Sequence, residues 1–351
     1  MENIINNPGL QHLIEKMFLN LNYEDFKKCQ IINKSAKNIL GNSMFWIKKL
    51  IQRGLSKNNQ IIFIKAIQSV KNSDMEKSFL LFLKWNLKTE ERVGFPLVPG
   101  TPIHWAAYGG FTEVVKILVP LTDNPSAPNE IGKSALNLAA ENGHTEIVKI
   151  LAPVTKNPND PDGYGNTPIY WAACNGHTEI VKILVPLTDH PNAAANENGA
   201  TPIYWAARNR YSEIVKILAP LTDNPNAPNK DGNTPIHYAA YYGHTEIVKI
   251  LAPLTDNPNA PYKDGATPIY WAVRNGHTEI VQILAPLAGN PNAPDEDGNT
   301  PIHLAAQREN ARIVKILALL TDNPNVPNKG GKTPCSLTKN AEIRGILYSK
   351  T

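Results

Sequence analysis

Thr234–Leu251, TPIHYAAYYGHTEIVKIL, decides how this chain is read, because near-copies of it recur along most of the sequence. Thr234-Pro235 opens a helix: the Thr side chain supplies a capping oxygen, and Pro suits the first helical position, whose backbone N–H would have no partner. Ala239 and Ala240 are small, so a second helix can approach closely. Gly243 stops the first helix. Thr245 and Glu246 begin the second, where acidic charge suits the positive end of the helix dipole. Ile247, Val248, Ile250 and Leu251 recur at helical spacing and predict its buried face. Asp256-Asn257-Pro258-Asn259 reads as a turn, and Asn229–Asn233 as a hairpin-like finger before the Thr-Pro.

The motif Thr-Pro-Ile-His/Tyr starts at Thr101, Thr167, Thr201, Thr234, Thr267 and Thr300. A variant, SALNLAA, starts at Ser134, and a degraded copy, TPCSL, at Thr333. Successive starts are 33 residues apart, except for one step of 34 before Thr201. Such a period marks stacked supersecondary units. The histidines and acids inside the unit share this period: His144, His177, His244 and His277 occupy one place, and Glu146, Glu179, Glu246 and Glu279 another. Groups repeated in every copy are expected to cap and pack, not to catalyse.

TPIHYAAYYGHTEIVKIL resembles the ankyrin repeat nearly residue for residue. The resemblance covers about two-thirds of the chain: seven repeats over residues 101–332 and a capping partial repeat over 333–351. It implies an all-α solenoid of helix-turn-helix units joined by short hairpin loops. One departure recurs. The family's second helix ends in a Gly-Ala pair and an acid, whereas here the end reads APLTDNPNAP. Pro120, Pro153, Pro186, Pro220, Pro253 and Pro286 each lack a donor and clash with the carbonyl four residues back, so the second helix is expected to end or bend about one turn early. Tyr170, Tyr204 and Tyr270 replace the His that ties neighbouring fingers in the family, and a phenol is expected to do so differently. Trp105, Trp171, Trp205 and Trp271 share a position where the family has Leu, and read as filler between stacked repeats.

By the same resemblance, the positions that vary between repeats lie on the concave, partner-binding face. At the ends of the first helices they are Glu141, Asn142, Cys174, Asn175, Arg208, Asn209, Tyr241, Tyr242, Arg274, Asn275, Gln307 and Arg308. In the fingers they include Glu130, Ile131, Lys133, Tyr164, Lys230 and Lys263. Arg and Tyr anchor interfaces most often, which singles out Arg208, Tyr241, Tyr242 and Arg274.

A different pattern precedes the repeats. Leu10, Leu13, Ile14, Met17, Phe18 and Leu21 fall on one helical face, Phe26, Cys29 and Ile32 on a second, and Phe45, Trp46 and Leu50 close the segment. LIEKMFLNLNYEDFKKC and FWIKKL make residues 8–50 similar to an F-box, although the family's opening Leu-Pro is missing and Ala36 stands in place of its central Trp. That resemblance implies docking on the Skp-type adaptor of a cullin–RING ubiquitin ligase through Leu10, Leu13, Ile14, Met17, Phe18, Leu21 and Trp46. The chain would then be a substrate receptor, performing no chemistry and holding its target on the ankyrin face. The alternative is an ankyrin scaffold or inhibitor whose N-terminal helices only cap the array. Residues 51–100, with Ile61–Val70 and Met75–Leu87 as a helix pair, read as a helical linker or divergent capping repeat.

Bulk properties fit these classes. Residues 1–100 carry 15 basic and 8 acidic side chains, a balance of +7, and the remainder carries −3. No dense basic stripe of the kind that binds nucleic acid is present. The cysteines are Cys29, Cys174 and Cys335, with no CxxC pair, so neither a disulfide framework nor a cysteine zinc site is expected. Gly132-Lys133-Ser134 and Gly331-Lys332-Thr333 imitate the end of a phosphate loop, but Ala127 and Val326 stand where its first glycine is needed. The N-terminus lacks a signal-peptide pattern and no apolar run approaches membrane length, so the expected compartment is the cytosol, with the nucleus also open. No cofactor, metal or small-molecule ligand is implied.

Overall fold

The computed structural model describes residues 100–195, 198–262 and 265–349. The chain divides into two units, residues 1–92 and 93–351, and all described residues belong to the second. The residues expected from sequence to dock an adaptor, Leu10 to Trp46, together with residues 51–99 and Lys263, lie outside the described residues.

Seven helix pairs follow one another: α1 (Pro102–Tyr108) with α2 (Thr112–Leu118), α3 (Ala135–Glu141) with α4 (Thr145–Leu151), α5 (Pro168–Cys174) with α6 (Thr178–Leu184), and α7 (Pro202–Arg208) with α8 (Ser212–Leu218). Then come α9 (Pro235–Tyr242) with α10 (Thr245–Leu251), α11 (Pro268–Arg274) with α12 (Thr278–Leu284), and α13 (Pro301–Gln307) with α14 (Ala311–Leu319). A 3-10 turn, Pro334–Leu337, and α15 (Ala341–Tyr348) complete the array as the shortened last unit. Each first helix packs on the first helix of the next repeat, and each second helix on the next second helix. The expected all-helical repeat array is observed: the described residues contain no strand, only an isolated bridge between Ala195 and Ala200.

Local chemistry accounts for the elements. Thr234 caps α9 with an extended backbone; its side chain accepts from the His237 amide, and Pro235 occupies the first helical position. Burial follows the pattern read from sequence at Ile236, Ala239, Ala240, Ile247, Val248 and Leu251, which are essentially inaccessible, but not at Ile250, which is only half-buried.

The recurrent proline acts as expected, with one refinement. In the first six repeats the α-helix stops two residues before the proline, and the chain continues as a three-residue 3-10 turn such as Ala252–Leu254. The seventh repeat serves as an internal control. Leu319 replaces the proline, and α14 runs nine residues to Leu319 with no 3-10 turn after it. Restoring the donor removes the clash and lets the helix continue. Where the helix stops, Thr255 Oγ1 donates to Leu251 O at 2.8 Å and so satisfies a carbonyl the helix leaves open.

Two further ladders join neighbouring repeats. Asn226 Oδ1 accepts from Ile236 N at 2.9 Å, Asn259 Oδ1 from Ile269 N at 2.9 Å, and Asn292 Oδ1 from Ile302 N at 3.1 Å. The second Asn of Asn-Pro-Asn is therefore more than a turn residue: it satisfies an orphan donor at the start of the following helix. The second ladder is the finger tie. His104 Nε2–H donates to Ala127 O at 3.0 Å, while its Nδ1 accepts from Thr101 N and Oγ1 at 3.2 and 3.0 Å. Tyr204 does the same work by a different bond, its hydroxyl accepting from Asn229 Nδ2 at 3.3 Å.

Burial pushes His104 down to about 4, and both groups at its Nδ1 are donors, so the folded state holds it neutral. The unfolded chain therefore binds more protons between pH 4 and about 6.5. His104 stabilises fully above the ordinary histidine range, and that contribution is lost as pH falls toward 4. Ser134 and Asn137 make the same capping box with no titrating group. Urea unfolding of His104→Asn at a series of pH values is expected to lose up to one proton's slope, about 1.4 kcal/mol per pH unit, relative to wild type.

Candidate functional site

The face formed by the C-terminal ends of the first helices collects the residues singled out from sequence, but it assigns them different work. Several are already committed to joining repeats. Asn175 Nδ2 donates to Glu141 O at 2.9 Å, Asn209 Nδ2 to Cys174 O at 2.8 Å, and Asn275 Nδ2 to Tyr241 O at 2.8 Å. Asn142 Nδ2 turns back to Leu138 O of its own helix at 2.8 Å. These side chains are partly exposed, yet their amide donors are spent on the array.

Lys133 is a correction. Read from sequence as a finger residue facing a partner, it is buried, with Nζ 2.6 Å from Glu141 Oε2 and 4.0 Å from the centre of the Trp171 ring. Glu141 is thereby neutralised, and its carbonyl accepts from both Asn175 and His177. Cys174 is half-buried, and burial pushes its thiol up, away from the thiolate a reactive cysteine needs. Tyr164 and Lys230 project from the fingers, with Tyr164 61% exposed. Gln307 and Arg308 are exposed at the end of α13.

The recurring histidines are structural. His144 Nε2 binds Tyr108 O at 2.9 Å, His177 Nε2 binds Glu141 O at 3.1 Å, and His277 Nε2 binds Tyr241 O at 3.2 Å. Each ring reaches the last turn of the preceding first helix and lies against the glycine that follows it. A Cβ built on Gly243, whose φ is +77°, would sit 2.6 Å from the His277 ring. Two repeats carry another residue at the glycine position, Glu309 with φ 59° and Arg210 with φ 68°. Beside Arg210, His244 uses Nδ1 and reaches one residue earlier, to Ala207 O at 2.9 Å. The Arg210 Cβ occupies the space the imidazole fills elsewhere, so the ring turns.

The tryptophans are packing residues with one covered edge. Trp105 is buried; Trp171, Trp205 and Trp271 are half-buried. Trp171 Nε1 donates to Asp162 Oδ2 at 2.9 Å. Trp205 Nε1 is buried with no acceptor, because the longer finger before Thr201 places Ala195 where Asp162 stands.

What remains is a contiguous aromatic surface across the fourth, fifth and sixth repeats. The Arg208 guanidinium lies 4.9 Å from the Trp205 ring centre and 5.3 Å from that of Tyr238, and Arg274 lies 5.1 Å from Trp271. Between them, Tyr238 stacks on Tyr242 at 6.2 Å, Tyr241 meets Tyr242 edge-on at 4.8 Å, and Tyr241 meets Trp271 at 5.3 Å. Tyr241 and Tyr242 remain 43% and 47% exposed. Among the described residues no group of three or more His, Cys, Asp or Glu side chains is placed to hold a metal. No described helix is long and apolar enough to cross a membrane.

The family model described as ankyrin repeats in three copies matches residues 63–162, 154–229, 187–262 and 221–295, and the single ankyrin repeat model matches 297–329. These matches span well over half of the sequence. The chain belongs to the ankyrin-repeat family. Ankyrin arrays are protein–protein interaction modules, and no catalytic family is indicated for this one. No F-box domain is found. Comparison with curated proteins gives no match.

Two stability measurements check the local geometry. Arg210→Gly should raise the urea midpoint, by up to about 1 kcal/mol, because it relieves a left-handed non-glycine residue. Glu309, also left-handed at φ 59°, should gain less on the same change, since its carboxylate accepts from Thr338 Oγ1 at 2.9 Å. Trp171→Phe should destabilise more than Trp205→Phe, by roughly 1 kcal/mol, since only the former breaks a hydrogen bond and strands an acceptor.

Proposed function

We propose that this ankyrin array holds a protein partner on the ends of its first helices, centred on Arg208, Tyr241, Tyr242 and Arg274, and that it performs no chemistry. The supporting observation is the surface itself: two large phenols, nearly half exposed and flanked by guanidinium groups stacked on tryptophan. Exposed Tyr and Arg packed on rigid helices lose little entropy on binding and dominate interface energies. Tyr164, Lys230, Gln307 and Arg308 extend the surface at its edges. Glu141, Asn142, Cys174, Asn175, Asn209 and Asn275 contribute shape, with their polar groups held by the array.

Affinity capture with the full chain tests the proposal. The double variant Tyr241→Ala/Tyr242→Ala should lose the captured protein, while Lys182→Gln, in the outer-face pair with Glu179, should keep it. Identical capture by all three chains would remove the proposed face.

A finer role rests on LIEKMFLNLNYEDFKKC and FWIKKL, which are similar to an F-box. Residues 8–50 would dock a Skp-type adaptor through Leu10, Leu13, Ile14, Met17, Phe18, Leu21 and Trp46. The chain would then be the substrate receptor of a cullin–RING ligase, raising the target's effective concentration beside the ubiquitin-loaded enzyme. Capture of purified Skp-type adaptor by the full chain, abolished by Met17→Asp with Phe18→Lys, is the expected result. A wild-type chain that fails to hold the adaptor would end the ligase role and leave the target-holding face untouched, with residues 8–50 and 51–100 as caps.

A further inference from the structure

We infer that the face spanning the fourth to sixth ankyrin repeats recognises an acidic, extended protein segment, whose carboxylates meet Arg208 and Arg274 and whose apolar side chain lies on Tyr241 and Tyr242. The inference rests on the partner-holding role proposed above and names the chemistry of the partner.

The first ground is a contrast in charge pairing between the two sides of the array. On the second helices of the first five repeats the cations are neutralised from within: Lys116, Lys149, Lys182 and Lys216 pair with the glutamate three residues earlier, and Lys249 pairs with Glu279 of the next repeat, whereas Arg312 and Lys315 of the seventh repeat make no such pair among the described residues. On the first helices Lys133 is likewise answered by Glu141. Arg208 and Arg274 differ. Among the described residues neither has a carboxylate within ion-pair distance.

The second ground is their orientation. Each guanidinium lies against an indole, and Arg208 also lies against the Tyr238 ring. A guanidinium anchored over a ring still carries its N–H donors in a planar fork, the geometry that takes a carboxylate in two parallel bonds. Fixing the side chains beforehand lowers the entropy lost on binding.

The third ground is what separates them. Arg208 and Arg274 sit at equivalent places two repeats apart, and the fifth repeat between them presents Tyr241 and Tyr242. The surface thus reads cation, aromatic, cation. A segment with acidic side chains on either side of a Phe, Leu or Tyr complements it. Other charged groups nearby do not reverse the sign: Arg210 and Arg308 add cations, and the single Glu309 carboxylate accepts from the Thr338 hydroxyl and the Lys339 backbone amide. Asp231 lies in the finger behind Tyr204 and bears on that phenol. Nucleic acid is the poorer match, because the residues after 100 carry a balance of −3 and a few arginines spread over four repeats make no dense phosphate track.

The test uses the full chain and three fluorescein-labelled probes read by anisotropy: a peptide of Glu interspersed with Phe, the same peptide with Lys for Glu, and oligo-dT. The Glu/Phe peptide should bind, and more weakly as salt rises. Arg208→Gln and Arg274→Gln should each weaken it at least about tenfold, the scale of an interface anchor. Tyr241→Ala/Tyr242→Ala should weaken it with the salt dependence kept. Circular dichroism confirms that each variant is folded, and Lys182→Gln should bind as wild type. Preference for the Lys peptide, or affinity unmoved by the arginine variants, overturns the inference. Tighter binding of oligo-dT, lost with the same variants, overturns it in favour of nucleic acid. Failure of the Glu/Phe peptide while the tyrosine pair still governs protein capture refutes the acidic class and leaves the partner-holding role standing.

Discussion

Everything in this array depends on how closely the first helices can approach one another. The pairs Ala106-Ala107, Ala139-Ala140, Ala172-Ala173, Ala206-Ala207, Ala239-Ala240 and Ala305-Ala306 are wholly inaccessible, and Val273 takes one such place at 1% exposure. No repeat can bury its alanine face alone. Each is covered by its neighbour, so the core is continuous and stability is a sum of unit and interface terms. The close approach also brings the ring of one repeat over the glycine of the repeat before it, where a Cβ would lie 2.6 Å from the imidazole. Small residues in the helix and a glycine at its end thus serve one constraint.

That constraint explains why so many polar groups are internal. With backbones this near, orphan donors and acceptors at helix ends must be answered across the repeat boundary. The Asn ladder, the His and Tyr finger ties and the amide-to-carbonyl bonds of Asn175, Asn209 and Asn275 all do this. The proposed recognition falls to side chains the array does not need for itself. Arg208, Tyr241, Tyr242 and Arg274 are of that kind, since their rings and guanidinia stack but satisfy no backbone group.

Departures from the repeat are as informative as the repeat. Leu319 shows that the 3-10 turn elsewhere is the work of proline, because the helix continues once the proline is gone. Arg210 shows what the glycine does, because the ring of His244 turns to a different acceptor when a Cβ is present. The extra residue before Thr201 leaves Trp205 Nε1 without the acid that Trp171 finds in Asp162.

The helices, their boundaries and most of their buried faces were legible in the sequence. Thr-Pro caps, the stop at glycine and 3.6-residue periodicity act over a few residues, and each is repeated often enough to be recognised. The job of each variable residue was not legible. Lys133 and Tyr242 both occupy varying positions, yet one is sealed in an ion pair and the other lies open. Asn175 varies as freely as Arg208 but spends its amide on the repeat before it. These outcomes depend on partners 8 to 34 residues away in sequence, set by how one repeat rests on the next. The sequence by itself determined the brick and its period, through local backbone preferences. Only the packed array decided which side chains serve the wall and which are left to meet a partner, because that depends on distances between residues the chain keeps far apart.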